Sequence, residues 1–341
     1  MARQGILTAG TWCVDRTKLV EFWPAENGFV EILKEGISGG GSGCNFALDV
    51  RKLDPGFPLS TISLVGEDAD GRFLLDLAAS NGIDNRRMAT TNAASTQYTD
   101  VYTSKTTGKR THIASLGTAD LLSPDHFDFT RSTEKFLHLG ILGVHALLDQ
   151  PWQDEANGWV AVLKRARKAG LKANLELVST DPARLSVVAR PCLPFIEFLV
   201  VNDHEIGAIA GVETLKDGTT DVAACLEAVK RCLDMSSAQV VVTHFPGGAI
   251  AATGDGSVHQ VPSVRIPNSE MVGANGAGDA FAAGFLYAMH EEWPVDQALK
   301  LAHATAATSL RDMSTSNAVE DWRTCLDLAG RWGWRQTLSE L

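Results

Sequence analysis

The sequence predicts an α/β protein, a central mostly parallel sheet in a three-layer α/β/α arrangement, with a small β-sheet lid over one end. Three observations predict it. Short apolar β-rich runs alternate with longer helical patterns along 341 residues, the order expected of strands joined by crossover helices. Two pairs of alternating runs interrupt that order and read as inserted hairpins, which pack either as a small sheet over one end of the main domain or as two separate surface hairpins. The composition, 45% hydrophobic and 21% charged, supplies a sizeable core and excludes global disorder.

The elements follow in order. Gly5–Ala9 reads as a first buried strand. Lys18–Trp23 and Gly28–Ile32, parted by Pro24–Asn27, form the first hairpin, within residues 16–38. Gly43–Lys52 is a helix, Leu59–Leu64 a strand and Gly71–Asn81 a helix. Gln97–Ser104 and Lys109–Ala114 around Thr107-Gly108 form the second hairpin, within residues 93–115. Then come strand Phe136–Leu139, helix Trp152–Ala169, strands Leu171–Leu175 and Phe195–Val201, helix Val222–Leu233, strand Gln239–Thr243 and helix Gly278–His290, which Pro294 stops. The expected organisation is a main domain from 1–15, 39–92 and 116–341 and a lid from 16–38 and 93–115.

The formal net charge is −11, from 30 Lys+Arg against 41 Asp+Glu. An acidic chain without a basic block argues against general nucleic-acid binding, which needs clustered cations to displace counterions. No apolar stretch approaches the ~18 residues of a membrane span. The six cysteines (13, 44, 192, 225, 232 and 325) form no CxxC and no zinc spacing, so free thiols in a reducing compartment are expected. The N-terminal stretch is too short and too quickly charged for a signal peptide, and the cytoplasm is the expected location.

Two glycine clusters carry the chemistry. Gly273-Ala-Asn-Gly276-Ala277-Gly278-Asp279 runs straight into an apolar helix. Small residues there let backbone N–H groups converge on an oxyanion, and the helix N-terminus adds partial positive charge. Asp279 reads either as a helix cap or as a base beside a phosphate cradle. Gly39-Gly40-Gly41-Ser42-Gly43-Cys44-Asn45 permits close backbone approach to a ligand, and Asn45 offers a donor and an acceptor to hydroxyls. It lacks the third glycine of a dinucleotide fingerprint, and no Walker A pattern occurs anywhere.

Five ordered motifs, spread over about 300 residues, resemble the ribokinase-like (PfkB) family of carbohydrate and nucleoside kinases. Gly10-Thr-Trp-Cys-Val-Asp15 resembles its first strand ending in a substrate-binding Asp. Gly40–Asn45 resembles its di-glycine signature, and Val65–Gly71 its G-x-D-x-x-G. Asn202-Asp203-His204-Glu205 resembles N-x-x-E, and Gly276–Asp279 resembles its G-A-G-D.

The resemblance implies ATP-dependent phosphorylation of a primary hydroxyl on a small sugar-like substrate. Asp15, Gly40, Gly41 and Asn45 would hold the substrate, with Cys13 beside them. Asp279 would act as base, and the N–H groups of Gly276, Ala277 and Gly278 as anion hole. Glu205 would organise Mg²⁺, directly or through water. Asn202, Thr243, Gly248 and His303 would border the nucleotide. The two hairpins fit the family's lid, which often forms a dimer interface, and Phe22, Trp23, Phe29 and Val30 allow a homodimer here. Some positions depart from the pattern. Gly273 replaces an acidic residue of potassium-activated members, which argues against a monovalent-cation site. Phe245 replaces the first glycine of T-x-G-x-x-G. Cys13 and Gly140 stand where ribokinases use a polar and an acidic residue, so a substrate other than ribose is expected. The alternatives are a nucleoside kinase of the same family and a sugar-sensing regulator without turnover.

Overall fold

A computed structural model describes residues 3–273, 275–312 and 314–339. Its strands are β1 (Ile6–Gly10), β2 (Cys13–Val20), β3 (Ile32–Gly40), β4 (Leu59–Gly66), β5 (Asp84–Thr91), β6 (Tyr98–Ser104), β7 (Arg110–Ser115), β8 (Phe136–Leu142), β9 (Lys172–Leu177), β10 (Phe198–Asn202), β11 (Leu215–Lys216), β12 (Thr219–Thr220), β13 (Val240–Phe245), β14 (Gly248–Thr253) and β15 (Val258–Pro262). The helices are α1 (Ser42–Leu53), α2 (Ala69–Ser80), α3 (Gly158–Lys168), α4 (Pro182–Ala189), α5 (Asp203–Ala210), α6 (Val222–Asp234), α7 (Ala277–His290), α8 (Val295–Ser309) and α9 (Trp322–Trp332).

Nine strands form the central sheet in the order β15-β14-β13-β10-β9-β8-β1-β4-β5. It is parallel from β13 to β5, and β14 and β15 extend it antiparallel. Its inner strands are buried on both faces, while the edge strands β5 and β15 are partly exposed, and successive side chains of the inner strands feed two separate cores. Ile6, Phe198, Val200, Val240 and Val242 pack with α1, α7 and α8. Leu7, Ala9, Leu199, Val201 and Val241 pack with α3, α5 and α6. A smaller sheet, ordered β3-β2-β6-β7, forms the lid. The strand–helix alternation therefore builds the expected three layers, and all six cysteines are buried and unpaired.

The first hairpin differs from the expectation. Its strands are Cys13–Val20 and Ile32–Gly40, so Phe22, Trp23 and Phe29 lie in the connection and are exposed. An apolar run with short-range alternation looks the same whether it pairs or caps a loop. Asp15 stands on this lid strand, past the end of β1 at Gly10. The helix expected from Trp152 starts at Gly158, where the Asn157 side chain accepts from Val160 N–H. Phe195 belongs to a 3₁₀ turn, and β10 begins at Phe198.

Candidate active site

Parallel sheets place ligand-binding loops at the carboxyl ends of their strands, and the motifs meet there. β2 carries Cys13 and Asp15, and β3 returns opposite them to Gly40 and Gly41. A Cβ on Gly40 would lie 2.4 Å from the Asp15 carboxyl, so only glycine leaves that carboxyl its place. α1 starts immediately after and brings Asn45 to the same spot. Asn45 Nδ2 donates to Asp279 Oδ2 at 2.8 Å, and Thr315 Oγ1 donates to Asn45 Oδ1 at 2.7 Å. The Cys13 thiol points at Asp15 Oδ1, 3.8 Å away.

Gly276 caps α7 with φ 74°, and Ala277, Gly278 and Asp279 make its first turn. Asp279 is thus inside the helix and is not the cap, and its side chain is turned to Asn45. Burial pushes its carboxyl well above the usual range, the nearby Glu176 carboxyl adds to this, and the Asn45 donor opposes it. Asp15 is pushed up to about 7 by burial, with the Asp279 charge adding to it against the Cys13 contact.

On the other side of the α7 N-terminus lies a pocket of about 410 Å³, lined by Asn202, Asp203, His244, Gly278, Phe281 and His303 among others. His244 stacks on Phe281 at 4.6 Å between ring centroids, and His303 meets the same ring edge-on at 5.0 Å. Burial drives both histidines down, to about 4 and about 3, so both rings are neutral. His303 Nε2 faces the Val261 carbonyl at 3.2 Å. Thr243 is buried in β13 with an unpartnered hydroxyl, and Gly248 starts β14 beside Val261 and Leu338.

Asn202 and Glu205 form a reciprocal capping box at the start of α5. Glu205 N–H donates to Asn202 Oδ1 at 2.8 Å, and Asn202 N–H donates to Glu205 Oε2 at 3.1 Å. Ser179 Oγ donates to Glu205 Oε1 at 2.8 Å, and burial lifts the Glu205 carboxyl to about 7. Both oxygens are engaged and the residue is buried. Among the described residues no group of three or more His, Cys, Asp and Glu could hold a metal. With both its oxygens engaged by the cap and Ser179, Glu205 offers no free direct ligand, and a Mg²⁺ carried by nucleotide phosphates would meet it only through water.

The cleft thus has a polar end around Asp15, Asn45 and Asp279 and a pocket on the other side of the same helix N-terminus. The profile of the pfkB family carbohydrate kinases matches residues 10–322, and the chain belongs to that family of kinases, whose acceptor is an alcohol group. The chain is 28% identical over 323 residues to an ATP-dependent ribose-1-phosphate kinase from Halopiger xanaduensis, covering 92% of this chain and 96% of that one. It is 26% identical over 298 residues to a 5-dehydro-2-deoxygluconokinase from Clostridium botulinum, covering 81% and 79%. An adenosine kinase from Schizosaccharomyces pombe is 31% identical over 112 residues, 33% of each protein. The fold matches Arabidopsis thaliana ribokinase complexed with ribose and ATP (TM-score 0.77, 22% identity, 96% and 99% coverage).

The sequence reading did not single out Glu176, His138, His244, Phe281 or Thr315. Glu176 lies near the carboxyl end of a parallel strand, a position that marks it as a site candidate, whereas His138 stands inside β8 and carries no such signal. Thr315 lies in a loop without regular pattern, and no sequence signal points to it.

Proposed function

We propose that the protein phosphorylates a primary hydroxyl of a sugar or sugar-like molecule with ATP. The observation that carries this is Asn45 bonded to Asp279 at the first turn of α7, beside Asp15, with the nucleotide-sized pocket across the same helix start. Asp15 and Asn45 hold substrate hydroxyls. Asp279 orients the reacting hydroxyl and takes its proton late in the transfer. The backbone N–H groups of Gly276, Ala277 and Gly278 stabilise charge on the moving phosphoryl group, aided by the helix dipole. Asn202, Thr243, Gly248 and His303 border the nucleotide. Mg²⁺, when bound, neutralises phosphate charge, and Glu205 positions its water shell.

Trp12 is 1% exposed and offers no free face for stacking on a base, which favours a sugar over a nucleoside. A place in the cytoplasm accords with six unpaired thiols. Among the described residues no helix is long and apolar enough to cross a membrane.

The test is ADP release with Mg-ATP across ribose, fructose, keto-deoxy sugars, sugar acids, phosphorylated sugars and nucleosides, with Asp279→Asn as control. Substrate-dependent release that falls about 10²–10⁴-fold in Asp279→Asn is expected. Undiminished turnover in that variant overturns the assignment of the base. Detectable ATP binding with no release for any acceptor points to the regulator.

A further inference from the structure

One carboxylate at the acceptor end has no part in the mechanism above. Glu176 sits near the end of β9, beside β8. Its Oε2 lies against Nε2 of His138 on β8, and its carboxyl is close enough to that of Asp279 on α7 for the two to perturb each other's ionisation. His138 is fully buried and stacked on Phe46, 3.9 Å between centroids. The Asn174 amide donates to its Nδ1 at 3.2 Å. With Nδ1 accepting, the ring proton is on Nε2, the atom that faces Glu176. Burial holds this histidine down to about 3, so it is a neutral, fixed dipole.

A second observation comes from Gly140. A Cβ there would lie 3.0 Å from the Glu176 Cβ and 2.9 Å from Ser42 Oγ. The missing side chain on β8 leaves room for a carboxylate delivered from β9. Ser42 is 2% exposed and its hydroxyl has no partner, while the Glu176 side chain keeps 15% exposure. An orphaned hydroxyl and a carboxylate thus adjoin the space beside the base. The charged groups that face Glu176 are Asp279 from α7, Asp49 from α1 and Glu205 from α5, and His138 is neutral. Asp15 from β2 faces Asp279, and Lys52 faces Asp49.

Resting on the kinase reading, we infer that Glu176 is a second acceptor-side carboxylate: it holds one proton in common with Asp279 and accepts a hydrogen bond from the substrate hydroxyl next to the one phosphorylated. The acceptor is then a polyhydroxy compound with two neighbouring hydroxyls at its reacting end. At rest, burial and the Glu176 charge favour the proton on Asp279; the reactive form is the one in which that proton has passed to Glu176 and Asp279 is ionised. During transfer the alcohol O–H breaks and its proton goes to Asp279. The alcohol oxygen bonds the γ-phosphorus, and the bond from phosphorus to the β-phosphate oxygen breaks as ADP leaves. The pair then carries two protons and returns one to water after product departs. Burial, with the Glu205 charge adding, lifts Glu176 to about 7.

The test compares the wild type, Glu176→Gln and Glu176→Asp. With the best acceptor of the panel, kcat/KM of the wild type should fall below pH about 7. In Glu176→Gln the acid limb should move down by about one unit or more, because the like charge and its proton are gone. Acceptor KM should rise about tenfold, with the KM for ATP unchanged. Removing the neighbouring hydroxyl of the acceptor should cost the wild type a similar factor and Glu176→Gln almost nothing. Glu176→Asp should regain part of the affinity. An unchanged acid limb and an equal deoxy penalty in a folded Glu176→Gln protein overturn the inference while the kinase stands. Infrared titration of the ligand-free protein decides the shared proton without turnover. Asp15, Asp49 and Glu205 also carry raised carboxyls, so the readout is the difference between the two proteins: a protonated-carboxyl component persisting to pH about 7 in the wild type and lost in Glu176→Gln supports it, and spectra identical in that band overturn it, even if no acceptor is found and the kinase reading itself falls.

Discussion

Asp49 is fully buried on α1, and among the described residues neither of its carboxylate oxygens has a hydrogen-bond partner. Burial raises its pKa well above the ordinary value, the Asp279 charge adds to this, and Lys52 opposes it. A group with a raised folded pKa contributes stability below its unfolded pKa and loses it as pH rises through the folded one. Asp49→Ala removes the orphaned carboxyl and improves helix propensity. It should stabilise the fold by about 1–3 kcal/mol near neutral pH, with a gain that shrinks in acid. Urea unfolding at both pH values checks this, and a variant of equal or lower stability at neutral pH would show that the carboxyl has an unseen partner. Four residues after Asn45, Asp49 lies on the same helical face, so its place beside the site was legible in the spacing. Its lack of partners was not, because that depends on α7 packing across it.

At the scale of elements, the turns before helices decide the chemistry. A Cβ on Gly276 would fall 2.4 Å from the Thr315 carbonyl oxygen, at a φ of 74° that costs other residues about 1–2 kcal/mol. Gly276→Ala should therefore shift the first turn of α7 and lower kcat by about 10²-fold, with a smaller change in ATP affinity; steady-state kinetics beside a melting curve would separate this from unfolding. The capping box at α5 allows a complementary test. Glutamine can replace Glu205 in that motif, so Glu205→Gln should melt no lower than the wild type, and higher above pH about 7, where the buried carboxyl would otherwise ionise. If Glu205 orders the metal's waters, the Mg²⁺ concentration needed for half-maximal rate should rise; an unchanged requirement assigns Glu205 to the cap alone. Gly276–Asp279 was legible as a local glycine run before a helix, whereas Asn202–Glu205 was picked out by the family resemblance and its capping box was not read. The first lid hairpin was not legible, because β2 also pairs in parallel with β6, a partner far away in sequence that sets where the strand begins and ends.

For the whole molecule, the lid and the catalytic cleft are mechanically joined. Asp15 belongs to β2, which lies between β3 and β6, so a movement of the small sheet carries with it the carboxylate proposed to hold substrate. β3 is an open edge of that sheet, with Ile32 43%, Leu33 43% and Ile37 66% exposed, and Phe29 beside it is 89% exposed. An uncovered apolar edge invites pairing with another chain, and the second copy that the family resemblance leads one to expect would cover it. A net charge of −11 limits nonspecific association, so specific apolar contact must drive the pairing. Size-exclusion chromatography with light scattering should then give twice the 36.5 kDa chain mass. Ile37→Lys, which places a charge on the edge without entering the core, should return the protein to a monomer that still binds ATP, because the nucleotide pocket lies on the central sheet. A wild type that remains monomeric at the highest concentrations reached would leave this apolar edge to the lid's own closure over the substrate.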